Sequence, residues 1–201
     1  MTEDEEKRRK SKTTVCKHKL DSFYLTFKFP KHLEMKETLL KLIATEIEQL
    51  ETVSDNRDTY NRDTYIHDWP FAKDFSRPWV QHFKPDLDVL LNDVVKGCGY
   101  VRYIPYEIWF QQYQTGDTHG WHSHGHNFTA VYYLDLPANA PKTQIINPYT
   151  QDNILTPEVG EGDVLMFPSY VIHRGPQITE KLNKTIISFN VVVMFGPSMQ
   201  I

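Results

Sequence analysis

The sequence predicts a mainly β fold with flanking helices, in which two helices buttress one face of a rolled or sandwiched antiparallel sheet. Apolar residues recur at helical spacing in two stretches before residue 98, and after residue 100 the period falls to two. The alternating stretches are divided by turns rich in Gly, Pro, Asn and Asp. Aromatic residues make up 13% of the chain, and large flat side chains pack well between sheets. A length of 201 residues fits one compact unit.

Residues 1–20 open with MTEDEEKRRKSKTT, which lacks the apolar core of a signal peptide and reads as a disordered, solvated leader. Residues 21–29 (DSFYLTFKF) set Phe23, Leu25, Phe27 and Phe29 on one face of a strand that ends at Pro30. From His32 to Leu50, Leu39, Ile43, Ile47 and Leu50 fall on one side of an amphipathic helix. A tandem NRDTY follows at Asn56–Tyr60 and Asn61–Tyr65, too short for a solenoid and read as a loop lengthened by duplication. The second helix is predicted over 78–96, with Leu87, Leu90, Leu91, Val94 and Val95 buried and a stop at Gly97-Cys98-Gly99. Strands are then expected over 100–113, 128–136, 163–167 and 185–194.

Composition excludes several classes. The net charge of −4 and pI near 6.1 provide no basic field for gripping nucleic acid. No apolar run approaches the roughly 18 residues that span a membrane. Cys16 and Cys98 are the two cysteines, so a disulfide framework is not expected and a reducing, cytoplasmic setting is.

The stretch Gly116-Asp-Thr-His119-Gly-Trp-His122-Ser-His124-Gly-His126 puts four histidines in eight residues. Neutral imidazoles need partners and clustered charged ones repel, so core filling explains them poorly. In extended chain, residues two apart share a side, and His122 and His124 can aim at one point. His173, after a predicted strand and a Pro turn, is the candidate third ligand. Three nitrogens on one face leave metal positions open, as catalysis needs. The competing reading is a His-rich surface loop. His119 and His126 lack the same-face argument and are expected at the surface or behind the ligands.

Around this cluster the chain resembles the 2-oxoglutarate/Fe(II) oxygenases. Trp109-x-Gln111-x-Tyr113-x-x-Gly116-Asp117 followed by His122-x-His124 is similar to the approach to their His-x-Asp motif, including that of prolyl 4-hydroxylases. Val131-Tyr132-Tyr133, Phe167-Pro168-Ser169, His173 and Lys184-Thr-Ile-Ile-Ser188-Phe189-Asn190 follow in the order of bacterial and phage members with a His-x-His motif. The resemblance implies a double-stranded β-helix of jelly-roll, cupin-like type over 21–201, with helical support at 30–97 and a metal-binding β core at 100–195. It also implies an enzyme, a dioxygenase using Fe(II), 2-oxoglutarate and O2 to hydroxylate a small molecule or peptide, such as a prolyl residue, with release of succinate and CO2. In that reading His122, His124 and His173 hold the metal and Lys184 binds the distal carboxylate of 2-oxoglutarate. Gln111, Tyr113, Tyr133 and Ser188 are further candidates for the cosubstrate. A homodimer is within expectation, whereas nucleic acid and membrane partners are not.

Two departures from the superfamily stand out. His124 occupies the carboxylate position, which changes the charge of the site by one, and Lys184 replaces the arginine of the similar members. A cupin-type metal protein shares the G-x5-H-x-H spacing at Gly116, His122 and His124. However, the glutamate it needs would fall at Phe128 or Thr129, and neither binds metal. A non-catalytic binding or assembly module on the same fold is the third reading, and the intact histidines argue against it.

Overall fold

In a computed structural model, which describes residues 22–53, 65–151 and 153–195, ten strands form two antiparallel sheets and two long helices cover one of them. The leader and the NRDTY duplication, Tyr65 apart, lie outside the described residues.

Strand β1 (Leu25–Lys28) is shorter than predicted: Phe29 is buried just past its end, but Phe23 is half exposed. Helix α1 (His32–Val53) buries Leu39 and Ile43, as its periodicity requires. A two-residue strand, β2 (Ile66–His67), and a single 3-10 turn, Trp69–Phe71, precede helix α2 (Pro78–Gly97). Pro78 starts α2 where no backbone donor is missed. Pro85 inside the helix gives up one backbone hydrogen bond. Burial on both sides of it holds the helix together: Trp79, Val80 and Phe83 before, Leu87, Leu91 and Val95 after, all sealed from solvent.

The β core comprises β3 (Arg102–Tyr113), β4 (His119–His122), β5 (Phe128–Asp135), β6 (Gln144–Ile146), β7 (Ile154–Leu155), β8 (Asp163–Pro168), β9 (His173–Gly175) and β10 (Lys184–Met194). The larger sheet runs β1-β8-β5-β10-β3-β2 and the smaller β4-β9-β6-β7. From β3 onward the chain passes back and forth between the sheets, the winding of a double-stranded β-helix. The long strands lie within two residues of their predicted ends; the short strands of the smaller sheet were not predicted.

Alternation divides the larger sheet into two functional faces. One face carries Ile108 and Phe110 of β3, Ala130 and Tyr132 of β5, and Ile187 and Phe189 of β10, packed with both helices into the main core. The opposite face bears Trp109, Gln111 and Tyr113 of β3 and Lys184, Ile186 and Ser188 of β10. Register sets these residues in rows, Ser188 opposite Trp109, Ile186 opposite Gln111 and Lys184 opposite Tyr113.

A buried ion pair anchors β3 beneath that face. Asp68, sealed from solvent, accepts hydrogen bonds from the Arg77 guanidinium, the Trp79 indole (3.0 Å) and the Phe110 amide (2.8 Å). Arg77 also donates to the Ile108 carbonyl. Burial lifts the Asp68 pKa to about 6 although Arg77 opposes the rise. The pair ties the start of α2 to the backbone on either side of Trp109.

Candidate active site

β4 and β9 are neighbours in the smaller sheet, and His122 pairs directly with His173. His122 Nδ1 lies 2.7 Å from the Gly120 carbonyl, and His173 Nδ1 lies 3.0 Å from the Val171 carbonyl. A carbonyl only accepts, so both Nδ1 atoms carry a proton, and in the neutral ring it is Nε2 that bears the lone pair. His124 follows β4 in irregular chain, its amide donating to the Ser169 carbonyl at 2.8 Å. One ring nitrogen from each of the three histidines lies within 4.8 Å of the others. His122 and His124 lie close together, although irregular chain after β4, not strand, carries His124.

Burial, with the neighbouring rings adding to it, pushes the pKa of His173 down to about 2 and that of His124 to about 4. His119 is lowered to about 3 for the same reason. All three stay neutral at physiological pH, the form that ligates metal. Their folded pKa values lie below the ordinary 6.5, so the unfolded chain binds more protons as pH falls below that value. Metal-free protein should therefore lose stability steadily from pH 6.5 towards pH 4, measured as a falling urea midpoint.

The histidines open onto a narrow cleft whose wall also carries Lys184, Gln111, Tyr113 and Ser188. Lys184 is only 2% exposed. Its Nζ donates to the Pro141 carbonyl at 2.9 Å and lies 4.6 Å over the Tyr113 ring. Among the described residues no carboxylate pairs with it, and burial lowers its pKa to about 8. Gln111 accepts from Ser188 at 2.8 Å and donates to the Tyr113 hydroxyl at 2.9 Å. Tyr133 is not on the cleft wall. It is fully buried behind Thr143, whose amide donates to its hydroxyl at 3.3 Å, and burial pushes its pKa up to about 12. Trp121 is partly exposed on the smaller sheet, with the Arg174 guanidinium 4.5 Å above its ring.

Two features escaped the sequence reading. A bulge in β4 sets four residues, His119 to His122, against three of β9, His173 to Gly175, and so turns His119 to the cleft. His126 leaves the site and packs on Tyr106. The second feature joins the Phe-Pro-Ser and Ser-Phe-Asn motifs. Thr129 Oγ1 lies 2.8 Å from Ser169 Oγ and donates to Asn190 Oδ1 at 2.8 Å, and Asn190 in turn donates to Glu107 at 2.8 Å. That buried bridge holds the Ser169 backbone on which His124 hangs. A polar residue at alternate positions of an otherwise apolar strand was the available signal.

Fold and histidine cluster together define a double-stranded β-helix with a candidate three-histidine metal centre. Residues 107–190 match the family model described as "Putative 2OG-Fe(II) oxygenase". AviO1 from Streptomyces viridochromogenes Tue57 is similar in structure (TM-score 0.61, 12% identity, covering 88% of this chain and 91% of that one). So is the viral collagen prolyl hydroxylase of Paramecium Bursaria Chlorella virus-1, solved with 2-oxoglutarate (TM-score 0.56, 14% identity, 87% and 97%). A Pseudomonas putida prolyl-4-hydroxylase has a TM-score of 0.52 at 15% identity, covering 86% and 92%. At these identities the likeness is one of fold. No curated protein sequence matches the chain.

Proposed function

We propose that His122, His124 and His173 hold Fe(II) and that Lys184 holds the distal carboxylate of 2-oxoglutarate, in an oxygenase that hydroxylates a C–H bond of a small molecule or peptide. The carrying observation is Lys184, a buried ammonium without a paired carboxylate among the described residues, on the wall of the same cleft as the histidines. Such a charge is costly unless an anion joins it, and the cosubstrate is a dianion. The donor set fits the metal: His122 and His173 commit Nδ1 to a backbone carbonyl, and one ring nitrogen of each of the three histidines lies within 4.8 Å of the others.

When bound, Fe(II) with 2-oxoglutarate supplies the oxidative decarboxylation that yields succinate and CO2. The chain's own residues do the rest. Gly120 and Val171 carbonyls orient two ligand rings. Ser188 orients Gln111, and Gln111 donates to the Tyr113 hydroxyl, which lies on the same wall as Lys184. Ile186 and Val131 on the cleft wall keep water from the charge pair.

Anaerobic protein titrated with Fe(II) and then with 2-oxoglutarate should develop a visible charge-transfer band. Metal binding without the band would favour the cupin-type reading; no metal binding would refute both. The cupin glutamate is not supplied, because Phe128 packs on the helix side and Thr129 is bonded to Ser169 and Asn190.

The narrower substrate we propose is a prolyl residue in a peptide, on the fold likeness to two prolyl hydroxylases. Succinate release stimulated by a proline peptide but not by its alanine counterpart tests it. No helix among the described residues is long and apolar enough to cross a membrane. Cys98 is a free thiol, which supports the reducing, cytoplasmic setting we propose.

A further inference from the structure

His119 is the one cleft histidine outside the ligand cluster. Its ring lies face to face on His122, with centroids 3.8 Å apart and planes 14° from parallel. Tyr65 lies 5.1 Å from the His119 ring at a tilt of 36°, and stacks on Tyr113 at 4.7 Å. The ammonium of Lys184 caps Tyr113 at 4.6 Å. A single column of rings therefore runs from a candidate metal ligand to the candidate cosubstrate cation. His119 Nδ1 is 3.2 Å from Gln111 Nε2 and 3.2 Å from the Tyr65 hydroxyl. The amide nitrogen can only donate, so Nδ1 is bare and the proton of the neutral ring sits on Nε2.

His119 does not serve as a ligand in this arrangement. Imidazole lone pairs lie in the ring plane, and two nearly parallel planes offset by the stack do not converge on an ion about 2 Å from each nitrogen. The hydrogen bond from His122 Nδ1 to the Gly120 carbonyl fixes one point of the His122 ring but leaves rotation about that contact. A ring clamped against its face removes that freedom.

We propose that His119 is a positioning residue for His122, holding its ring plane by stacking so that Nε2 stays aimed at the metal. This rests on the reading that His122 binds metal. The column gives the clamp its own support: Gln111 and Tyr65 orient His119, and Tyr113 backs Tyr65.

Co(II) alone is the probe, titrated anaerobically into the full chain and followed by its visible ligand-field bands. His119→Phe keeps a ring and loses the acceptor; His119→Asn keeps an acceptor and loses the ring. The Asn variant should bind Co(II) about tenfold more weakly, with shifted bands, as when residues that orient ligands are lost. The Phe variant should stay within about threefold of the parent. Circular dichroism confirms the fold of each, and His119→Leu replaces the Asn variant if that one does not fold. Unchanged affinity and bands without the ring would overturn the proposal, and so would equal loss in both variants. If the parent chain binds no Co(II), the metal-site reading itself has failed, a result separate from either of these.

Discussion

Replacing Lys184 with methionine should make the ligand-free protein more stable while abolishing its response to 2-oxoglutarate. The two effects share one origin. Lys184 is buried, and its folded pKa of about 8 lies below the ordinary 10.5. Between those values the unfolded chain binds more protons than the folded one, so stability rises with pH across that window. Below pH 8 the full penalty applies, on the order of 3 kcal/mol from the size of the shift. Lys184→Met removes it, and the alkaline rise should vanish from the melting profile. The same substitution deprives a dianion of its counter-charge, a loss of about 2–5 kcal/mol at buried pairs. With Co(II) present, 2-oxoglutarate should raise the melting temperature of the parent and leave the variant unmoved. Cosubstrate affinity of the parent should also fall above pH 8, approaching about tenfold per pH unit as the ammonium loses its proton. A variant that keeps the parent's 2-oxoglutarate dissociation constant would remove Lys184 from the anchor role.

His173→Ala should abolish 2-oxoglutarate turnover and lower metal affinity by more than about 100-fold, beyond the loss typical of residues that merely orient ligands. His173 is 4% exposed and its Nδ1 is committed to the Val171 carbonyl, which leaves Nε2 for an ion. His122→Ala should behave alike. His124 provides the finer comparison, because the enzymes the chain resembles have a carboxylate where this chain has an imidazole. His124→Asp should retain Fe(II), adding a negative ligand that hard divalent iron favours, whereas His124→Ala should weaken it. Equal Fe(II) affinity in His124→Ala and the parent, read by anaerobic calorimetry, would take His124 out of the first coordination sphere.

The faces of the long strands were legible in the sequence because period two acts within a single segment. Trp109, Gln111 and Tyr113 share a wall with Lys184 and Ser188, as alternation alone requires. Both helices were legible for a similar reason, and Pro85 did not interrupt α2 because burial on either side outweighed one missing hydrogen bond. The smaller sheet was not legible. Its strands have two to four residues, too few to display a period, and they exist through partners distant in sequence. The bulge that turns His119 inward breaks the very alternation used to dismiss it. Tyr133 shares the face of β5 that carries Val131, but its strand is buried on both faces and its hydroxyl is taken by the Thr143 amide, which the sequence does not show. Asp68 gave no local sign of its role, since its partners are a helix start and a backbone amide 42 residues away.

The brevity of the smaller sheet has a consequence for how the molecule comes together. β9 has three residues and β4 four, and β7, at the far edge, has two. Few ladder bonds secure them, and the candidate ligands His122 and His173 sit on these strands rather than on the long ones fastened to the helices. In a hierarchy of local opening, such a sheet belongs at the low-energy end. An ion shared between His122 and His173 would join positions 51 residues apart in the chain and act as a cross-link across that layer. Metal capture and consolidation of the smaller sheet are then one event. Amide hydrogen exchange should slow first in β4 and β9, while the helix-backed sheet hardly changes.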